Sequence, residues 1–105
     1  MKLDNAEERA KAHADFEIPP RALREDLMVG DSAKLVFLAD KPHRVEIRGE
    51  VHHPKSERMW VRVTARKDGR YEGDLANTPL FLPFAIGDKV SFGPEHIIDV
   101  KRLAS

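Results

Sequence analysis

The residues best equipped for chemistry sit on one expected strand. Arg58, Trp60, Arg62, Thr64 and Arg66 alternate with Met59, Val61, Val63 and Ala65. Side chains along a strand point to opposite faces in turn, so the polar set shares one face. Interleaved guanidinium and indole groups stack on bases or grip carboxylates. The pattern therefore describes a binding face with no reaction attached. The preceding segment tempers this reading, because Arg44, Glu46, Arg48 and Glu50 alternate with Val45, Ile47, Gly49 and Val51. Pairing Val45, Ile47 and Gly49 with Val63, Val61 and Met59 sets Glu50 against Arg58 and Glu46 against Arg62, with Arg48 across from Trp60. Opposite charges then meet across the hairpin. The alternation serves strand register as well as it serves a ligand.

Other reactive groups do not converge. His52 and His53 are adjacent and would point to opposite faces of a strand, and no histidine pair has the spacing of a helical chelate. Glu95, His96 and Asp99 lie close in sequence, but period two separates His96 from Asp99. Ser32, Ser56, Ser91 and Ser105 lack the Gly-x-Ser-x-Gly context of a nucleophile elbow, and there is no phosphate-binding glycine loop. With no cysteine in the chain, disulfides, thiol nucleophiles and cysteine metal sites are excluded. We expect no catalytic residue, no metal site and no cofactor. A second binding candidate is the apolar stretch 77–86. It contains Leu80, Phe81 and Phe84 between Pro79 and Pro83, and two prolines so close disfavour a central strand. It either folds back to close one end of the sheet or offers an exposed apolar patch to a partner.

These residues need a scaffold, and the sequence supplies a mainly β one. Residues 32–39, 45–51, 58–66, 70–75, 89–92 and 96–100 read as strands, with Asp68-Gly69 as a hairpin turn. The expected class is α+β, mainly β: a small barrel or strongly twisted antiparallel sheet of about six strands. One or two short helices precede it. Asp4 or Asn5 can cap the first, over residues 4–14, whose apolar side is mostly alanine and so has little to bury, which predicts a loosely held or frayed helix. Pro20 can start a second over residues 20–27. Residues 1–28 form the helical segment and 29–105 the β-rich part of a single domain. Gly30-Asp31 and Gly87-Asp88 each lead into a strand. They read as two ordinary turns or as marks of a two-fold repeat.

The chain has 105 residues and no net charge, whereas a dedicated nucleic-acid or membrane-surface binder shows a basic excess. Charge is uneven: residues 41–70 hold nine Lys/Arg against four Asp/Glu. No apolar run approaches the about 20 residues of a membrane span. The first eleven residues are charged, unlike a secretory signal, which points to the cytoplasm.

Three stretches occur in order: Glu57-Arg58-Met59-Trp60-Val61-Arg62-Val63, Gly73-Asp74-Leu75-Ala76-Asn77-Thr78-Pro79, and Gly87-Asp88-Lys89-Val90-Ser91-Phe92 with Ile97 and Asp99 beyond. Together they resemble a family of small bacterial domains of unknown function with the pattern E-x-x-W-V-x-V, G-x-L-x-N-x-P, G-D-x-V-x-F. Related families include immunity proteins of bacterial toxin systems. The resemblance covers roughly residues 29–100 and carries no reaction with it. The residues themselves describe a non-enzymatic protein-binding module acting through Arg58, Trp60, Arg62 and Arg66 or through Leu80, Phe81 and Phe84, and the resemblance implies an immunity-like, toxin-neutralising character for it. Self-association through the apolar stretch is included in that reading. Single-stranded nucleic acid on the arginine face is the second reading, and a small enzyme is the third.

Overall fold

The computed structural model describes residues 1–103. In chain order the elements are β1 (Lys2–Leu3), α1 (Ala6–Ala12), α2 (Arg21–Arg24), β2 (Ser32–Leu38), β3 (Val45–Ile47), β4 (Glu50–His52), β5 (Ser56–Lys67), β6 (Arg70–Leu75), β7 (Lys89–Phe92), a 3-10 turn (Pro94–His96) and β8 (Ile97–Lys101). The architecture is α+β and mainly β. One antiparallel sheet runs β1-β2-β5-β6-β7, and β8 returns to pair with β2 beside β1. The sheet curls around its core, and the 3-10 turn between β7 and β8 spans the gap.

The alternation decides which face is inside. Ala33, Leu35 and Phe37 of β2, Met59, Val61 and Val63 of β5, Leu75 of β6, Val90 and Phe92 of β7 and Ile97 of β8 form one buried cluster. Each large apolar side chain so buried contributes about 1.5–3 kcal/mol. Asp68 and Gly69 both have positive φ, 54° and 76°, as a type I′ turn demands, and they set the β5–β6 hairpin. Gly73 packs against β5 so closely that a Cβ there would strike the Arg62 carbonyl oxygen and lie 2.6 Å from Val61 Cγ1.

The two Gly-Asp turns are equivalent. Asp31 Oδ2 accepts the Met28 N–H at 2.9 Å, and Asp88 Oδ2 accepts the Ala85 N–H at 2.8 Å. Gly30 and Asp31 bracket Val63 with two backbone bonds, and Gly87 and Asp88 bracket Leu75 in the same way. Buried Ala33 and Leu35 of β2 then correspond to buried Val90 and Phe92 of β7. A local two-fold between β5 and β6 relates β2–β5 to β7–β6.

Four expectations need correcting. First, residues 45–51 are not one strand against β5. Arg48 (φ 51°) and Gly49 (φ 81°) make a second type I′ turn, so β3 and β4 pair with each other as a separate ribbon. The neighbours of β5 are β2 and β6, and Glu46 and Glu50 do not face its arginines. Second, Arg66 leaves the arginine face. The β5–β6 register shifts between Val63 and Ala65, and this bulge turns Arg66 onto the side of buried Tyr71. There it donates to the Glu25 carbonyl at 3.1 Å and lies 5.8 Å from the Tyr71 ring centroid. Third, the N-terminal segment is docked. Leu3 pairs with Phe37 in the sheet, Asn5 caps α1 through the Glu8 N–H, and Ala6 is buried. Residues 1–28 therefore contribute a strand to the sheet as well as helices. Fourth, α2 stops at Arg24, and His96 belongs to the 3-10 turn with β8 starting at Ile97.

Arg24 does the docking. Its side chain is only 6% exposed, and Nη1 reaches Glu7 of α1 at 2.7 Å and the Pro94 carbonyl at 2.8 Å. Nε donates to the Pro19 carbonyl at 2.8 Å. One guanidinium thus ties α1, the proline kink and the 3-10 turn together.

Candidate binding surface

The loop joining β6 to β7 is held rigidly by the side chains that flank it. Asn77 Oδ1 accepts the Trp60 N–H at 2.5 Å, and the Ala76 N–H donates to the Trp60 carbonyl. The Glu57 carboxylate accepts three successive backbone N–H groups, from Leu80 at 2.6 Å, Phe81 at 3.1 Å and Leu82 at 2.9 Å. Successive amides converging on one anion form a nest, and here the chain fills the nest with its own carboxylate. Asp88 closes the far end. The clamp decides which side chains turn in. Leu82 is 6% exposed and joins the core, and Phe81 and Phe84 pack half-buried against it. Leu80 and Ile86 stand out, 66% and 62% exposed. The stretch both closes one end of the sheet and presents apolar side chains.

The surface continues onto the base of the β3–β4 ribbon. The His43 and Phe81 rings lie 5.0 Å apart. A groove of about 580 Å³ runs beside them, between residues 38–41, Lys2 and the Leu82-Pro83-Phe84 segment.

The outer face of β5 keeps Arg58, Trp60 and Arg62 together, without Arg66. Each has a neighbour. Arg58 lies 5.8 Å from the Phe16 ring centroid, and Lys34 Nζ lies 5.7 Å from that of Trp60. Across the sheet Lys34 stands opposite Asp99, and Arg62 opposite Asp74, which pairs with Lys89 at 3.1 Å. Cations and carboxylates are interspersed, so the face has no strong field of one sign.

The acid–base candidates serve the fold. His96 Nδ1 accepts the Gly93 N–H at 3.0 Å, which closes the 3-10 turn and makes the imidazole neutral. Burial lowers its pKa; the Glu95 and Asp4 carboxylates oppose this, Arg70 assists it, and the net shift is downward. Asp99 instead accepts the Val100 N–H. Among the described residues, no group of three or more His, Asp or Glu side chains could hold a metal ion, and no helix is long and apolar enough to cross a membrane.

Three carboxyls also titrate below their usual range. For Glu7 the leading cause is the Arg24 hydrogen bond. Burial pushes Asp31 upward, but the Leu103 and Met28 amides and Arg102 outweigh it. Burial likewise pushes Glu95 upward, and its own amide, Arg70 and His96 outweigh that. Lowered carboxyls stabilise the fold fully above about pH 4 and lose that contribution as pH falls through their folded values. A lowered histidine acts in the same direction from about pH 6.5 downward. The melting temperature should therefore fall steadily on acidification from neutrality. His96→Gln should flatten the upper part of that curve, and an unchanged slope there would assign it to other groups.

Neither a family model, nor a curated protein, nor a solved structure matches the chain. Within the fold, the residues that carry the family resemblance have positional work. Glu57 and Asn77 clamp the loop, Gly73 admits close packing, and Gly87-Asp88 makes one of the paired turns. Glu57 and Arg24, the two side chains that organise the surface and its support, have no mark in periodicity or composition.

Proposed function

We propose that this chain is a non-enzymatic protein-binding module whose contact surface is the apolar loop 80–86 with the adjoining groove. The observation that carries the reading is the Glu57 clamp on the Leu80, Phe81 and Leu82 amides. An exposed apolar side chain on a loose loop loses entropy when it docks, whereas one held beforehand does not. Exposed apolar groups on a fixed loop are what a protein interface uses as anchors. A cytoplasmic, toxin-neutralising role is the sharpest form of this proposal, and it rests on the family resemblance. Lys34 against the Trp60 ring, and Asp74 and Asp99 among the cations, count against nucleic acid on the outer face of β5.

Leu80→Asp tests the reading, because Leu80 is exposed and its loss leaves the core untouched. Capture of the partner by the immobilised domain should fall at least about tenfold, the loss of one anchor of about 1.4 kcal/mol or more. The melting temperature should stay the same. Capture equal to that of the parent would remove the loop from the interface.

A further inference from the structure

The β3–β4 ribbon is unsupported. Among the described residues it pairs with nothing but itself, and its residues are exposed except for half-buried Val45. It departs from the body where the Ala39 N–H meets the Lys55 carbonyl and the His43 N–H meets the Pro54 carbonyl. The radius of gyration is 14.3 Å, against about 13 Å for a compact chain of this length. A lone two-stranded ribbon is marginal in water and gains from further strands.

The ribbon's own bonds fix which backbone groups are free. A two-residue type I′ turn makes Ile47 and Glu50 a hydrogen-bonded pair. Inward bonding then recurs at Val45–His52 and at His43–Pro54, the last bond being present at 3.2 Å. The N–H and C=O groups of Arg44 and Glu46 consequently point outward along the β3 edge. Both side chains are exposed, and among the described residues neither takes part in an ion pair.

We infer that this edge pairs antiparallel with the β3 edge of a second copy, about a two-fold axis at Val45. In that register Arg44 of each copy stands opposite Glu46 of the other, as two hydrogen-bonded pairs with opposite charges facing. The competing register centred on Glu46 sets Glu46 against Glu46 and Arg44 against Arg48, so like charges disfavour it. The β4 edge offers Val51 and His53 and has no such complementarity. Two ribbons joined this way make a four-stranded sheet. The contact is far smaller than the about 1,200–2,000 Å² of a standard interface, so the dimer is weak and forms as concentration rises. Loop 80–86 contributes no residue to this edge, which begins one residue beyond His43.

Sedimentation velocity over a concentration series on the full chain tests the inference. The parent should shift from monomer toward dimer. Arg44→Glu alone and Glu46→Arg alone should each remain monomeric, because each sets like charges opposite one another. An equimolar mixture of the two variants should associate again, since every Glu of one then faces an Arg of the other, and Arg44→Glu combined with Glu46→Arg in one chain should behave like the parent. A monomeric parent at every concentration would overturn the proposal. So would single variants that associate as the parent does, or a mixture that stays monomeric. Arg44→Glu should leave partner capture through Leu80 unchanged, so failure of the dimer and failure of the loop as a contact surface are read separately.

Discussion

Arg24→Met should lower the unfolding free energy by about 3 kcal/mol, the scale for stripping one charged donor from several acceptors shielded from water. Methionine replaces much of the side-chain volume and none of the donors. The Glu7 carboxylate, the Pro19 carbonyl and the Pro94 carbonyl all lose a partner held within 2.8 Å. Arg24→Lys should recover little, because a single ammonium cannot reach three acceptors in the directions of a planar fork. The Glu7 carboxylate keeps Arg21 Nη1 at 2.8 Å, so adding Glu7→Gln to Arg24→Met should restore little and locates the loss at the two proline carbonyls. Domains of this class are stable by roughly 5–15 kcal/mol, so the single change takes a large share. Denaturant unfolding measures it, and amide exchange across residues 1–27 locates it. A loss under about 1 kcal/mol would show that the N-terminal segment is held by β1 and Ala6 instead.

That prediction turns on a residue invisible to pattern reading, and the reason is physical. β5, β6 and β7 each bury one face, so alternation marks them in the sequence, while β2, which also buries Val36 on its other face, is marked by an apolar run. Arg24 sits in a four-residue helix, too short for a period, and it is buried by partners 5, 17 and 70 positions away. The β3–β4 ribbon escapes pattern reading for the opposite reason. Val45, Ile47, Gly49 and Val51 alternate as well as any strand, but the chain reverses at Arg48-Gly49, where an arginine takes a positive φ that non-glycine residues seldom adopt. Gly49 was the one hint. Arg66 escapes the period-two face because a bulge at Thr64 inserts a residue without altering composition. The apolar loop was legible as a surface from its prolines and phenylalanines. Which of its side chains turn outward was not, because Glu57 decides that from 23 to 25 residues away.

Glu57→Ala should therefore affect binding as well as stability. Hydrogen bonds to a charged group contribute about 1.5–3 kcal/mol each when protected from water. Here the Leu80 amide is exposed and water can replace much of what it loses, whereas Leu82 is buried and its amide cannot be rehydrated without leaving the core. A net loss of about 2 kcal/mol follows for the triple acceptor, close to that of one protected bond. Between the Asn77 bond and the Asp88 turn, the loop would then have no fixed course, and Leu80 would have to be ordered at the moment of contact. Amide exchange at Leu80, Phe81 and Leu82 should accelerate far beyond the global change, and partner capture should fall at least about tenfold. Glu57→Gln keeps an acceptor oxygen without the charge and should lie between the parent and the alanine variant on both measures. Fast exchange with full capture would mean that the loop is ordered by its partner, and Glu57 would then matter to the fold alone.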